Sequence, residues 1–291
     1  MSGKKKIILY VAWGLCAFII FIYALFPKDK VKAYAQDAFS RAFPEYSLSI
    51  SGASLSLPLG VTFSDIKVSS AKGMLAASEK LKVSLSPFSL FSGKRVYSLK
   101  GSVAQGRVTA KIVRPKNGPP GFWDVSARIS GVHAEKMRAF WNMLGGDVSG
   151  TLDGSFSFSG QAADWTRQQG EASLSLSNGK FSFLSQFLGV DAIPATRLLL
   201  GFSMKDGSVT IKNCTLESSQ LKGGLSGGLR LRKPFSSSEL DITGTVSATP
   251  EFFRKAGARP EMVQFMQSKQ RAGGVAFSIT GPMATKRIAF K

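Results

Sequence analysis

The sequence predicts a mainly β protein with few helices: an N-terminal transmembrane helix followed by one elongated, curved, mostly antiparallel sheet. Three observations predict it. An uncharged apolar run opens the chain, alternation of apolar and polar residues recurs through most of the remaining 291 residues, and helical periodicity is scarce.

The apolar run comes first. From Ile7 to Phe26, through Trp13, the segment IILYVAWGLCAFIIFIYALF carries no charge. Twenty residues at about 1.5 Å per residue reach roughly 30 Å, the thickness of a bilayer's hydrocarbon core. A signal peptide has a shorter apolar centre with a small-residue cleavage site close behind it. Here the nearest such site, Ala33-Tyr34-Ala35, lies beyond Lys28, Asp29, Lys30 and Lys32. An uncleaved anchor is therefore expected. Lys4, Lys5 and Lys6 favour a cytoplasmic tail over residues 1–6, a span over 7–26 and a juxtamembrane helix or linker over 27–44. Residues 45–291 then lie outside the cytoplasm, in the periplasm if the membrane is a bacterial inner membrane.

A helix from Asp29 to Phe43, stopping before Pro44, continues the chain. Period-two runs follow: Leu48 and Ile50 against serines, Leu55 to Leu59 with Pro58 marking an edge or bulge, then Leu81, Val83 and Leu85 against Lys80, Lys82 and Ser84. Val108, Ala110 and Ile112 alternate with Arg107, Thr109 and Lys111. The pattern returns over 125–129, 152–158, 172–176, 198–204, 209–211, 225–231, 240–246 and 275–279. Asp206-Gly207 and Asn178-Gly179 read as hairpin turns, because glycine and its Asn or Asp neighbour accept the left-handed conformation such turns require. Gly223, Gly224, Gly227 and Gly228 read as bends or bulges. Helical stretches are expected around Met137, Phe140, Trp141 and Leu144, behind the Thr249-Pro250-Glu251 start, and from Pro260 to about Gln270. The segment RPKNGPPG, 114–121, is the boundary if the soluble part divides into two lobes.

About a dozen strands with one apolar face each outnumber the helices able to cover them. The sheet must then cover itself, as a packed sandwich or partly closed barrel, or curl into a gutter whose apolar face holds acyl chains. Leu81, Val83, Leu85, Phe156, Phe158, Phe181 and Phe183 lie on the apolar phase of their runs and form the candidate groove.

The net charge of +20 is unevenly spread, with +9 in residues 51–117 and +8 in 201–291. Such a field attracts polyanions, and the anchor points to anionic lipid head groups rather than nucleic acid, for which no module signature is present. Lys94, Arg95 and Lys100 are the candidate contacts to an anionic surface. Chemistry has little to stand on: the single histidine, His133, has no metal-ligand spacing, no nucleophile elbow or phosphate loop occurs, and Cys16 and Cys214 cannot form a disulfide framework. No catalysis, cofactor or metal is expected.

An anchor followed by PEYSLSISGASLSLPLGVTFSDIKVSS, 44–70, with a step through Gly60, Val61, Phe63, Asp65 and Ile66, resembles the opening of AsmA-like envelope proteins and of the type II secretion system GspN group. The Gly-punctuated segments 145–160 and 221–246 and the ending GGVAFSITGPMATKRIAFK are similar to later strands of those families. The resemblance implies an AsmA-like gutter and a structural or assembly role among secretion-system envelope proteins. Its alternative implication is lipid binding or transfer between membranes, with phospholipid acyl chains as partners. It supplies no catalytic residues.

Overall fold

The protein, seen here as a computed structural model, is described over residues 10, 13–14, 21, 23–70, 73–138, 141, 146–161, 168–187, 190–232, 237–255, 264, 267–268 and 274–290. It is mainly β, built on one open antiparallel sheet of fourteen strands in which sequence order equals spatial order. The strands are β1 (Tyr46–Ser56), β2 (Gly60–Ser70), β3 (Gly73–Leu85), β4 (Lys94–Val103), β5 (Gly106–Pro115), β6 (Phe122–His133) and β7 (Gly146–Gln161). They continue as β8 (Gln169–Phe187), β9 (Val190–Lys205), β10 (Ser208–Glu217), β11 (Leu221–Arg230), β12 (Glu239–Ala248), β13 (Val275–Pro282) and β14 (Arg287–Phe290). Each pairs only with its neighbours, so β1 and β14 are the sheet's two edges.

Helices are few. α1 (Lys28–Ala42) precedes the sheet, close to the expected bounds, and Gln36 Nε2 donates to the Leu48 carbonyl at 3.1 Å. α2 (Pro250–Lys255) follows β12, with proline and glutamate at its start as the sequence suggests. Thr249 does not cap it through its side chain: the hydroxyl donates instead to the Gln220 carbonyl at 3.1 Å and ties α2 to the start of β11. The expected helix through Met137 is a short 3-10 turn, Ala134–Met137; Phe140 and Leu144 lie outside the described residues. Most of 260–270 also lies outside them. So does most of the apolar run, Ile7 included. Trp13 is helical and exposed, while Phe26 is half-buried and outside any helix. Among the described residues no helix is long and apolar enough to cross a membrane.

Several sequence expectations need correction. Pro58 is neither edge nor bulge but the centre of the β1–β2 turn, since β1 stops at Ser56 and β2 begins at Gly60. β4 and β14 were not anticipated, because Lys94-Arg95 and Lys100-Gly101 interrupt the first run and the second is only four residues long. Asp206-Gly207 is a hairpin turn with both residues at positive φ, 48° and 77°. Asn178-Gly179 is not. It lies inside the 19-residue β8, where the register slips by one residue opposite Gly150. Asn178 takes φ 50°, and a side chain at Gly150 would meet the Gly179 Cα at 2.6 Å, so the bulge requires glycines where the two backbones approach. The four glycines of β11 pair with β12 without any slip; the neighbouring irregularity belongs to β10, between Ile211 and Thr215.

Burial is concentrated along one margin. The main cluster joins Ile193, Leu221, Val246, Ala248, Phe252, Val275 and Phe277, where α2 folds Phe252, fully buried, onto β11–β13. Val132, Ala134 and Leu176 extend buried positions along the same strand ends. That margin is the one holding the β6–β7, β8–β9, β10–β11 and β12–β13 links.

Candidate functional site

Antiparallel register places facing residues on the same side of a sheet, so the pairings trace the apolar face strand by strand. One row begins at Leu55, Val61, Val83 and Leu99, continues through Ala110, Ala127, Phe156 and Ala172, and ends through Phe202, Ile211, Gly227, Ile242, Ile279 and Ile288. It crosses all fourteen strands, and every member but a glycine is apolar. A second row runs two residues away, toward the margin without a core: Leu85, Tyr97, Ile112, Val125, Phe158, Gly170, Met204, Val209, Leu229 and Leu240. None of these residues is buried, and Phe158 is 38% exposed.

The two faces differ in shelter. Ala110, Ala127 and Ala172 on the apolar face are half-buried, whereas Ser126, Ser155, Ser157 and Ser173 on the other are exposed. Side-chain size is nearly the same, so the face makes the difference. Among the described residues no element packs across the middle of the apolar face; α2 covers only its corner near β11–β13. The result is a trough with a closed long margin and an open one. Thirteen spacings of about 4.8 Å give a length of roughly 60 Å, and two rows give a width of about 14 Å. That is about 800 Å² of apolar surface, more than the few hundred that soluble monomers ordinarily expose.

At its β1–β2 end the trough deepens into a hollow of about 480 Å³ lined by Leu55, Leu57, Leu59, Val61, Phe63, Val83, Leu85 and Tyr97, with Tyr23 from the N-terminal segment. On the open margin Arg114 stands 5.5 Å from the Trp123 ring centre, and Trp123 is 6.3 Å from Tyr97.

Of the candidate groove residues, Leu81, Val83, Leu85, Phe156 and Phe158 fall on this face by register. Phe181 faces Val148 and Ile193 beyond the β8 bulge. The bulge matters for it: Leu176 and Phe181 have opposite parity, and the extra residue puts both on one face. Phe183 pairs with Gly146, and its side chain is outside the described set. The candidate cations separate. Arg95 shares the parity of Tyr97 and stands on the rim of the apolar face beside Arg114, its cross-strand partner. Lys100 is on the other face, paired with Lys82 and Thr109. Lys94 lies at the start of β4 and is exposed. The aromatic rim of Tyr97 and Trp123 was not singled out from sequence, because each belongs to an unremarkable strand and only register joins them.

The opposite face is polar and charged. It carries a shallow hollow of about 620 Å³ among serines, Lys111, Arg128 and the Lys212–Glu171 ion pair at 2.5 Å, which holds the Glu171 carboxyl below its ordinary range. His133 closes β6, with Nδ1 3.1 Å from Glu135 Oε1, while Glu135 Oε2 accepts from the Gly150 N–H at 3.2 Å. The Glu135 carboxyl is lowered chiefly by its own backbone N–H, then by Gly150 and His133, against a smaller desolvation effect. This arrangement braces the β6–β7 link. No group of three or more metal-ligating side chains occurs among the described residues. Cys214 is buried, and burial pushes its thiol up, away from the reactive thiolate.

The fold and site define a class: a single-layer β protein with one sheltered apolar face and one charged face. Compared with protein-family models, with curated proteins and with solved structures, the chain finds no match.

Proposed function

We propose that this protein is a membrane-anchored, non-catalytic carrier that holds lipid acyl chains along the apolar face of its sheet, in the manner of an AsmA-like gutter. The observation that carries the reading is the apolar row matched in register over fourteen strands and left half-buried. A face of that extent, facing water, would drive aggregation, whereas acyl chains remove it from water without a second protein layer. The anchor expected over 7–26 would hold the carrier at an inner membrane with its sheet in the periplasm.

The test is a purification of the full chain in mild detergent followed by lipid extraction and mass spectrometry. Ala127→Glu and Leu99→Glu variants serve as the comparison. Each places a carboxylate mid-trough, where an uncovered sheet tolerates it and an acyl chain does not. Copurifying phospholipid should fall severalfold in both. Equal lipid in all three proteins, or none in the unmodified chain, would end the proposal.

A second reading, an accessory or assembly part of type II secretion, rests on the sequence resemblance to the GspN group. The edge of β14, whose four residues are all exposed, supports it as a place where a partner strand could add. Crosslinking from residue 288 to identified secretion components would support this reading, and lipid content would be unaffected by loss of β14.

A further inference from the structure

The link between β3 and β4 is folded inside out. Ser89 is 3% exposed, and its hydroxyl donates to the Ser86 carbonyl at 2.6 Å; the Ser92 hydroxyl donates to the Lys94 carbonyl at 2.8 Å. From the next hairpin, the Lys116 N–H donates to the Gly93 carbonyl at 2.9 Å and its ammonium to the Leu90 carbonyl at 3.0 Å. With its polar groups satisfied inwardly, the turn presents Phe88 and Phe91, 85% and 92% exposed, to solvent. A loop held by this many hydrogen bonds has a defined shape, so the exposure is built in. The neighbouring β1–β2 tip adds Leu57 and Leu59, 52% and 43% exposed.

Cations surround these apolar groups. Arg95 and Arg114 face one another at the ladder's end, and among the described residues neither has an ion-pair partner. Two like charges directly opposite repel unless an anion lies between or beside them. The carboxylates of residues 51–117, Asp65 and Glu79, sit well back along β2 and β3; Asp124 of β6 is on the opposite face. Tyr23 reaches the hollow beneath Leu57 and Leu59, so the N-terminal apolar segment arrives at this same margin.

We propose that the β1–β2 and β3–β4 tips form a second membrane contact, in which Phe88 and Phe91 enter the interfacial zone of an anionic leaflet and Arg95, Arg114 and Lys116 meet lipid phosphates. Aromatic and aliphatic groups favour that depth and basic groups its surface. The contact sets the open margin of the trough against the bilayer carrying the anchor. It does not require acyl chains in the trough.

The experiment uses the full chain with Cys16→Ser and Cys214→Ala, in proteoliposomes whose lipids carry a nitroxide near the glycerol. An environment-sensitive fluorophore is attached at Phe88→Cys, at Phe91→Cys and, as control, at Lys222→Cys on the opposite strand ends. Both labels at the tip should be quenched about threefold more than the control in vesicles containing phosphatidylglycerol. In phosphatidylcholine alone, or with Arg95→Gln and Lys116→Gln together, the excess should vanish. Circular dichroism checks that each variant is folded. Aqueous emission and no quenching at 88 and 91 would overturn the proposal. So would disulfide pairing of unlabelled Phe88→Cys between two chains without quenching, which would assign the patch to a second copy. Equal quenching in neutral vesicles would overturn the role given to the cations.

Discussion

Phe156→Ala and Phe252→Ala differ only in what covers the ring, and the pair tests whether the apolar face is open. Phe252 is fully buried within the α2 cluster, so its truncation removes transfer energy and leaves a cavity, a cost of about 3–5 kcal/mol. Phe156 is half-buried, with Ala127 and Ala172 as its cross-strand neighbours and no described layer above. No enclosed cavity forms there. Full burial of such a side chain is worth about 1.5–3 kcal/mol, so half of it gives roughly 1 kcal/mol. For a protein of this size the expected falls in Tm are about 2–4 °C for Phe156→Ala and about 10 °C for Phe252→Ala. Urea and thermal unfolding of the full chain in detergent, followed by far-ultraviolet circular dichroism, would measure both. Titration with a fluorescent fatty acid adds the functional half: Phe156→Ala should weaken uptake, while Phe252→Ala, at temperatures where it is folded, should not. A loss at Phe156 equal to that at Phe252 would refute the reasoning, because it would require a second layer over the trough.

Three further outcomes follow from particular groups. The Glu135 carboxyl has a lowered folded-state pKa, so its contribution is complete above the ordinary value of 4.5 and is lost as pH falls through the lowered one. Stability should drop across that acid window in the unmodified protein and less steeply in Glu135→Gln, as measured by urea midpoints at successive pH values. Cys214 should react with a maleimide only slowly in the native protein and readily in urea, since burial both shields the thiol and raises its pKa; equal rates would contradict its place in the sheet. A periplasmic reporter fused after Lys291 should be active outside the cytoplasm with the N-terminus retained, whereas a mature start near Gln36 would remove the anchor.

Local chemistry alone made part of this molecule legible. Alternation in segments such as 80–85, 107–112 and 240–246 specifies strands whatever they pack against, because successive side chains of an extended chain point to opposite sides. Proline after Phe43 and the Asp206-Gly207 pair likewise act within a few residues, and α1 and the β9–β10 hairpin stand where they indicate. Other features required the assembled sheet. Asn178-Gly179 could serve a hairpin or a bulge, and the β7 partner, with Gly150 opposite, decided for the bulge. Arg95 and Lys100, close in sequence, separate onto two faces by parity, and Arg95 meets Arg114 only through the β4–β5 register. The open trough was the least legible feature. An apolar row has the same spacing whether a second sheet, a lipid or water lies over it, and what covers it depends on distant segments. Here α2 reaches only the β11–β13 corner, leaving the rest of the row half-buried.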